Sequence, residues 1–205
     1  EPSGFSNQTR GVWMNGAPHY DRIQYVTIST TGDSINFGDA ATNAGARGGL
    51  ASTTRGVVGG GETSVSPYPY TNTIEFITIA STGDATDFGD LTSIRRFTSG
   101  GGNATRGIFA SGYDANPAGT NVIDFITIAT TGNAVDFGDM TVIASYTGGS
   151  ASSPTRMCVY DASSPSVKTI EKIEIATTGN GVDFGDTVVS HYAAGGGCSN
   201  GHGGL

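Results

Sequence analysis

One segment of thirteen residues occurs four times in this chain. It reads TISTTGDSINFGD from Thr27, TIASTGDATDFGD from Thr78, TIATTGNAVDFGD from Thr127 and EIATTGNGVDFGD from Glu174. Its Thr-Gly glycine recurs at intervals of 51, 49 and 47 residues, at Gly32, Gly83, Gly132 and Gly179. A Thr-Arg pair recurs at intervals of 45, 51 and 50 residues, at Arg10, Arg55, Arg106 and Arg156. Two anchors that keep one period predict a repeat protein.

Each unit contains four segments typical of β-strands, and no window shows the 3.6-residue period of a helix. The third segment, as in NTIEFITIASTG, is rich in β-branched and aromatic residues and ends in a Thr-Gly turn. Alternation places Ile74, Phe76 and Thr78 on one face of this strand and Glu75, Ile77 and Ile79 on the other. Both faces are largely apolar, which favours small sheets covered on both sides by their neighbours.

The 205 residues therefore predict an all-β, four-bladed β-propeller in one domain, with blades of about 50 residues. The repeats span about 9–53, 54–104, 105–154 and 155–205. The chain begins at a second segment and ends after a first one, so we expect the C-terminal strand to pair into the N-terminal blade and close the ring. An open β-solenoid is the structural alternative.

The order GVVGGG, NTIEFITI, DFGDL and then RR resembles the kelch repeat. The glycine pair that ends the second kelch strand is present at Gly59 and Gly60 and is lost in the other units. The position of the usual kelch tryptophan is held by phenylalanine, at Phe37, Phe88, Phe137 and Phe184. The resemblance implies a kelch-like propeller.

The segments TRGV, ITIATTGNA and DFGD, with the C-terminal CSNGHGGL, resemble the sequences of repeat proteins from tailed, especially marine, bacteriophage particles. That resemblance covers essentially the whole chain. It implies a virion structural protein, such as a tail fibre, knob or decoration component, located on the extracellular particle. Its partners would be other virion proteins, further copies of itself or host surface glycans.

Composition excludes several other classes. The net charge is −8 and no basic run is present, which argues against nucleic-acid binding. No segment approaches the roughly 18 apolar residues of a membrane span, and the first residues lack the pattern of a signal peptide. Two cysteines, Cys158 and Cys198, do not make a disulfide framework, and whether they pair is left open.

The Asp-Phe-Gly tripeptide does not indicate a kinase, because the other kinase motifs are missing. We expect its phenylalanine to anchor a blade interface and its acids to bind turn amides; the acids in question are Asp39, Asp90, Asp139 and Asp186.

We expect no cofactor, although Asp84, Asp87 and Asp90 leave a calcium site as a lesser alternative. Each Thr-Arg arginine is expected to pair with such an aspartate and so clamp two blades together. The three histidines, His19, His191 and His202, form no recognisable metal motif.

The loop between the second and third strands varies most between units, and it carries Tyr68, Tyr70 and Tyr113 as candidate contact residues. The sequence thus predicts a non-enzymatic structural or adhesive module of a virion, used for host attachment or protein–protein interaction. A lectin-like propeller is the alternative. A propeller glycosidase is less favoured, because the acids mostly obey the repeat; Glu62 and Glu174 are the exceptions.

Overall fold

A computed structural model describes residues 2–14, 16, 20–63, 70–114, 119–162, 168–190 and 197–199. These residues form β-strands and connecting turns, with no helix among them. Four antiparallel sheets are arranged as the blades of a β-propeller, which confirms the predicted fold class.

The blades have one plan, in which each strand pairs with the next along the chain. Blade 1 contains β1 (Ser3–Ser6), β2 (Arg10–Met14), β3 (Arg22–Thr27) and β4 (Ile35–Asp39), and is followed by the short β5 (Ala44–Gly45). Blade 2 contains β6 (Gly48–Ala51), β7 (Arg55–Gly59), β9 (Thr73–Thr78) and β10 (Thr86–Asp90), with β8 (Glu62–Thr63) paired to β5. Blade 3 contains β11 (Ser99–Gly102), β12 (Arg106–Gly112), β13 (Thr120–Thr127) and β14 (Val135–Ala144). Blade 4 contains β15 (Tyr146–Ser152), β16 (Arg156–Ala162), β17 (Thr169–Glu174) and β18 (Val182–Asp186), and carries β19 (Cys198–Ser199) as a fifth strand.

The third strand of a blade is buried on both faces, as its composition predicts. In β9, Ile74 and Ile77 are buried on opposite faces of the sheet, and Ile79 just beyond the strand is also buried. Three hydrophobic clusters fill the joints between successive blades. They are centred on Phe37 with Ile79, on Phe88 with Ile128, and on Phe137 with Ile175. The stabilising core of this protein therefore lies between the blades.

The first strand of each blade lies at the centre of the propeller, where neighbouring blades come closest. A Cβ atom added to Gly100 in β11 would lie 2.5 Å from the carbonyl oxygen of Gly49 in β6. Since no side chain fits at that distance, the glycine and serine content of the first strands follows from their close approach.

The predicted closure is wrong for the described residues. The first blade has its own first strand, β1, which pairs with β2 from Ser3 opposite Met14 to Ser6 opposite Gly11. The C-terminal strand β19 instead runs parallel to β15 in blade 4, with Cys198 opposite Ala151. Each hydrogen-bonded blade consequently begins one strand before the repeat boundary drawn from the sequence. Residues 200–205 lie outside the described part.

Candidate functional site

Three of the four recurring arginines join adjacent blades through a backbone carbonyl. The side-chain oxygen of Asn103 accepts hydrogen bonds from the amides of Thr105 (3.0 Å) and Arg106 (2.9 Å), which fixes the turn before β12. Arg106 then donates through Nη1 to the carbonyl oxygen of Ile175 in blade 4, at 2.8 Å. Its guanidinium lies 4.5 Å from the ring centroid of Phe125 in its own blade. The arginine thus holds two blades together by a charged hydrogen bond and a cation–π contact.

The same arrangement occurs at Arg10, which donates to Ile79, and at Arg55, which donates to Ile128. The predicted pairing of these arginines with Phe-Gly-Asp aspartates is therefore wrong, because a carbonyl of the next blade lies within reach. Arg156 differs from the other three. Its Nε lies 2.7 Å from Glu174 of its own blade, and both side chains are about half exposed.

The Phe-Gly-Asp segments supply the backbone half of each joint. The amide of Gly83 donates to the carbonyl oxygen of Phe37 at 2.8 Å, and the amide of Ala85 donates to that of Asp39 at 2.8 Å. The amide of Asp39 donates in turn to the Asp84 carboxylate at 3.0 Å. Blades 2 and 3 repeat this pattern from Phe88–Asp90 to Gly132–Ala134 and from Phe137–Asp139 to Gly179–Gly181. Phe37, Phe88 and Phe137 lie at blade interfaces as predicted, each with an exposed fraction of 3% or less. The prediction is wrong for Phe184, which is 58% exposed because no described blade follows blade 4.

This arrangement accounts for Asp84, one of the three aspartates considered for calcium. Its carboxylate accepts the amide of Asp39 across the joint. Within the described ranges no three His, Cys, Asp or Glu side chains are grouped as they would be in a metal site. Of the other repeat aspartates, Asp186 has its backbone paired with Thr169 in blade 4.

Two buried ion pairs lie beside the joints, and the sequence did not reveal them. Arg47 lies 3.3 Å from Glu75, and Arg95 lies 2.8 Å from Asp124, with all four side chains fully buried. Burial lowers the pKa of each arginine, and the neighbouring acid opposes that effect. The available signal is an arginine one to four residues before the glycine-rich first strand of blades 2 and 3, in ARGGLAS and RRFTSGGG.

In blade 4 the buried acid of the third strand has a second acid beside it. Glu171 occupies the strand position of Glu75 and Asp124 and accepts the amides of Thr141 (2.8 Å) and Val142 (3.0 Å). Its neighbour is the buried Asp161, whose oxygens meet no hydrogen-bond donor in the described ranges. Burial first, and then the negative charge of Glu171, raise the pKa of Asp161 to about 8.

Two of the three candidate contact tyrosines come together around Arg96. The rings of Tyr70 and Tyr113 meet edge to face with centroids 5.6 Å apart. The Arg96 guanidinium lies 4.9 Å and 5.2 Å from these two centroids and pairs with Glu62. We call these four residues the Arg96 cluster. It links the variable loops of blades 2 and 3, and its side chains are half-buried. Tyr68 lies outside the described residues.

The first strands line an open central cavity of about 440 Å³. Its described lining is mainly glycine, serine and apolar side chains, together with Arg47, and includes no aspartate or glutamate. The two acids that break the repeat lie elsewhere: Glu62 belongs to the Arg96 cluster, and Glu174 pairs with Arg156. The described residues therefore place no carboxylate pair in the channel, where a propeller glycosidase would need one.

The two cysteines are free thiols on either side of one strand. Cys158 and Cys198 both lie opposite Ala151 in the sheet, one on each side of β15. Two strand spacings, about 9.6 Å, exceed the reach of a disulfide between these backbones. All three histidines lie outside the described part of the chain.

Comparison with known proteins supports the fold and finds no related family or curated protein. No family model matches the chain, and no curated protein matches it. Among solved structures, the one titled "Structure of YjhT" matches with a TM-score of 0.74 and 5% sequence identity. The match covers 91% of this chain and 65% of that one, so the chain spans slightly less than two thirds of YjhT. At this identity the likeness establishes the propeller fold alone.

No helix long and apolar enough to cross a membrane occurs in the described ranges.

Proposed function

We propose that this chain is a structural and adhesive module of a phage virion. It would hold a place in a fibre, knob or decoration component and contact another virion protein or a host surface glycan through its variable loops. The virion context is supported by the resemblance of the repeat sequences to repeat proteins of tailed-phage particles. The contact surface is supported by the Arg96 cluster.

The Arg96 cluster carries the adhesive part of the proposal because it departs from the repeat. Three of the repeated phenylalanines and three of the repeated arginines form the joints, and Arg47 and Arg95 are buried against acids. Arg96 instead lies between two loop tyrosines, Tyr70 and Tyr113, with part of each side chain at the surface. A cation between aromatic rings is a common contact group for carboxylates, sugars and protein side chains.

The virion assignment is tested by mass spectrometry of purified particles from the phage that encodes the chain. Peptides of this chain at stoichiometric abundance support the assignment. Their absence from intact particles that carry all other structural proteins overturns it.

The adhesive role is tested separately on an array of bacterial surface glycans and on host cells. We expect the chain to bind and the Arg96→Ala variant to lose about 10-fold or more in affinity, as for a central contact residue. Arg22→Ala is the matched control, because Arg22 forms an exposed pair with Asp39 away from the cluster. Equal binding by the chain and Arg96→Ala contradicts the role of the cluster. Absence of all binding leaves a purely structural module, and turnover of a glycan contradicts the non-catalytic reading.

A further inference from the structure

We propose that this chain associates head to tail, with the outer face of blade 4 docking onto the outer face of blade 1 in a second copy. The contact would repeat the joint that successive blades already make three times within one copy. The leading face consists of Trp13, Gln24, Val26 and Ile28 in blade 1. The trailing face consists of Cys158, Ile170 and Phe184 in blade 4. This inference rests on the joints and is independent of the proposed function.

The leading face is the half of a joint that no described blade covers. Ile28 is 56% exposed, whereas the residues at its position in blades 2, 3 and 4 are 0–1% exposed: Ile79, Ile128 and Ile175. Trp13 is 44% exposed, and its counterparts Val58, Phe109 and Val159 are fully buried. Because burial at these positions comes from the blade before, blade 1 offers a surface shaped for one more blade.

The trailing face is the complementary half. Phe184 is 58% exposed, whereas Phe37, Phe88 and Phe137 are 2–3% exposed at the same position. A Cβ atom on Gly138 would strike the next blade at Gly179, yet one on Gly185 would meet no atom within 4 Å. Cys158 and Ile170 are half-buried, and their counterparts in blades 1 to 3 are fully or almost fully buried. In the described part of the chain, blade 4 is thus uncovered on the side where a following blade would pack.

The polar groups of the two faces also match. In each joint a Phe-Gly-Asp segment accepts amides from the next Thr-Gly turn, and the arginine donates to the next isoleucine carbonyl. Blade 4 offers Phe184, Asp186 and Arg156 for these roles, and blade 1 offers Gly32 and the carbonyl of Ile28. In the described ranges no backbone hydrogen bond joins Phe184 to Gly32 within one copy. A second copy therefore supplies the missing partner for both halves.

The place beside blade 4 already accepts a strand. Gly197 and β19 approach β15 at Ser150, as Gly100 in blade 3 approaches Gly49 in blade 2. That is the place of the first strand of a following blade. A second copy brings its own β1, which makes four register pairs with β2, whereas β19 makes two with β15. We expect β19 to give way. The resulting contact is heterologous, so it can extend beyond two copies.

Sedimentation over a range of concentrations, with paired variants, tests the proposal. Ile28→Asp disables the leading face and Phe184→Asp disables the trailing face. Each is expected to weaken self-association about 100-fold, as a charge at the centre of an apolar contact does. Val135→Asp is the matched control, because Val135 is 56% exposed, like Ile28, and belongs to neither face. Circular dichroism melting curves check that each variant is folded.

Mixing the two variants gives the decisive result. Each retains the face that the other has lost, so an equimolar mixture should form a discrete dimer although each variant alone is monomeric. In a Cys198→Ser background, alkylation of Cys158 should slow as the unmutated faces associate. A wild-type chain that stays monomeric at millimolar concentration, or a mixture that stays monomeric, overturns the proposal. An association equally weakened by Val135→Asp also overturns it.

Discussion

Arg106 donates a hydrogen bond to the carbonyl oxygen of Ile175 at 2.8 Å and thereby joins blade 3 to blade 4. The corresponding arginine of blade 4, Arg156, pairs with Glu174 in its own blade at the surface. The chain thus contains the same repeated residue with and without a following blade, and this difference allows the joints to be tested with matched variants.

Arg106→Ala should lower the free energy of unfolding by about 2 kcal/mol, because it removes a charge-assisted hydrogen bond and a cation–π contact. Arg156→Ala should change it by less than about 0.5 kcal/mol, since its partner is a solvated carboxylate. Urea denaturation at low protein concentration measures both. Equal losses for the two variants would contradict the role assigned to the joint.

Gly138→Ala should destabilise the protein by about 2 kcal/mol more than Gly185→Ala. Both glycines have positive φ, 145° and 141°, so the backbone strain is shared. Only the methyl group on Gly138 meets a neighbouring blade, where it would lie 2.5 Å from the carbonyl oxygen of Gly179. The difference in stability between the two variants, measured by thermal melting, separates the steric clash with the next blade from the shared backbone strain. Equal destabilisation would show that the joint accommodates the methyl group without cost.

Asp124→Ala should cost about 3 kcal/mol, because it leaves Arg95 buried with its charge unpaired. Asp39→Ala is a suitable comparison, since the Asp39 carboxylate pairs with Arg22 at the surface and its loss should cost less than about 1 kcal/mol. Chemical denaturation measures both changes. A smaller loss for Asp124→Ala than for Asp39→Ala would mean that Arg95 finds another partner.

The contribution of Asp161 to stability should fall as the pH rises from about 4 to about 8. Burial raises the pKa of the Asp161 carboxyl from its ordinary 3.8 to about 8. The carboxyl therefore keeps its proton in the folded protein up to about pH 8. In that window the folded state holds more protons than the unfolded state, so the free energy of unfolding falls by at most about 1.4 kcal/mol per pH unit.

Asp161→Asn should flatten this dependence and raise stability near pH 8, because the amide carries no charge to bury beside Glu171. Denaturation curves at a series of pH values, with the unaltered chain beside the variant, provide the measurement. A slope that persists in the variant would assign the dependence to another group.

The repeat predicts the blades because strand patterning is local. Two-sided burial of Ile74 and Ile77 follows from their alternation along one strand, and the structure confirms it. The partner of Arg106 was mispredicted for a related reason. Every residue has a backbone carbonyl, so the residue types do not indicate that the carbonyl of Ile175 is the acceptor.

In the described part of the chain, closure was mispredicted because Ser3–Ser6, a segment that the repeat does not mark, supplies the first strand of blade 1. The glycine-rich sequence around Cys198 is compatible with the first strand of any blade. It therefore did not show whether this strand pairs with β2 of blade 1 or lies beside β15 of blade 4. Arg47 and Arg95 were missed because they lie in linkers of varying length, outside the aligned strands. Their burial depends on the acids Glu75 and Asp124, which are 28 and 29 residues away.

Within the described residues, a single copy makes three joints between successive blades and none between blade 4 and blade 1. Hydrogen exchange at the Thr-Gly turn amides, followed by NMR at a concentration where the chain is monomeric, tests this directly. The amides of Gly83, Gly132 and Gly179 donate across joints at 2.7–2.8 Å and should exchange slowly, whereas the amide of Gly32 should exchange fast. Equal protection at all four glycines would contradict it.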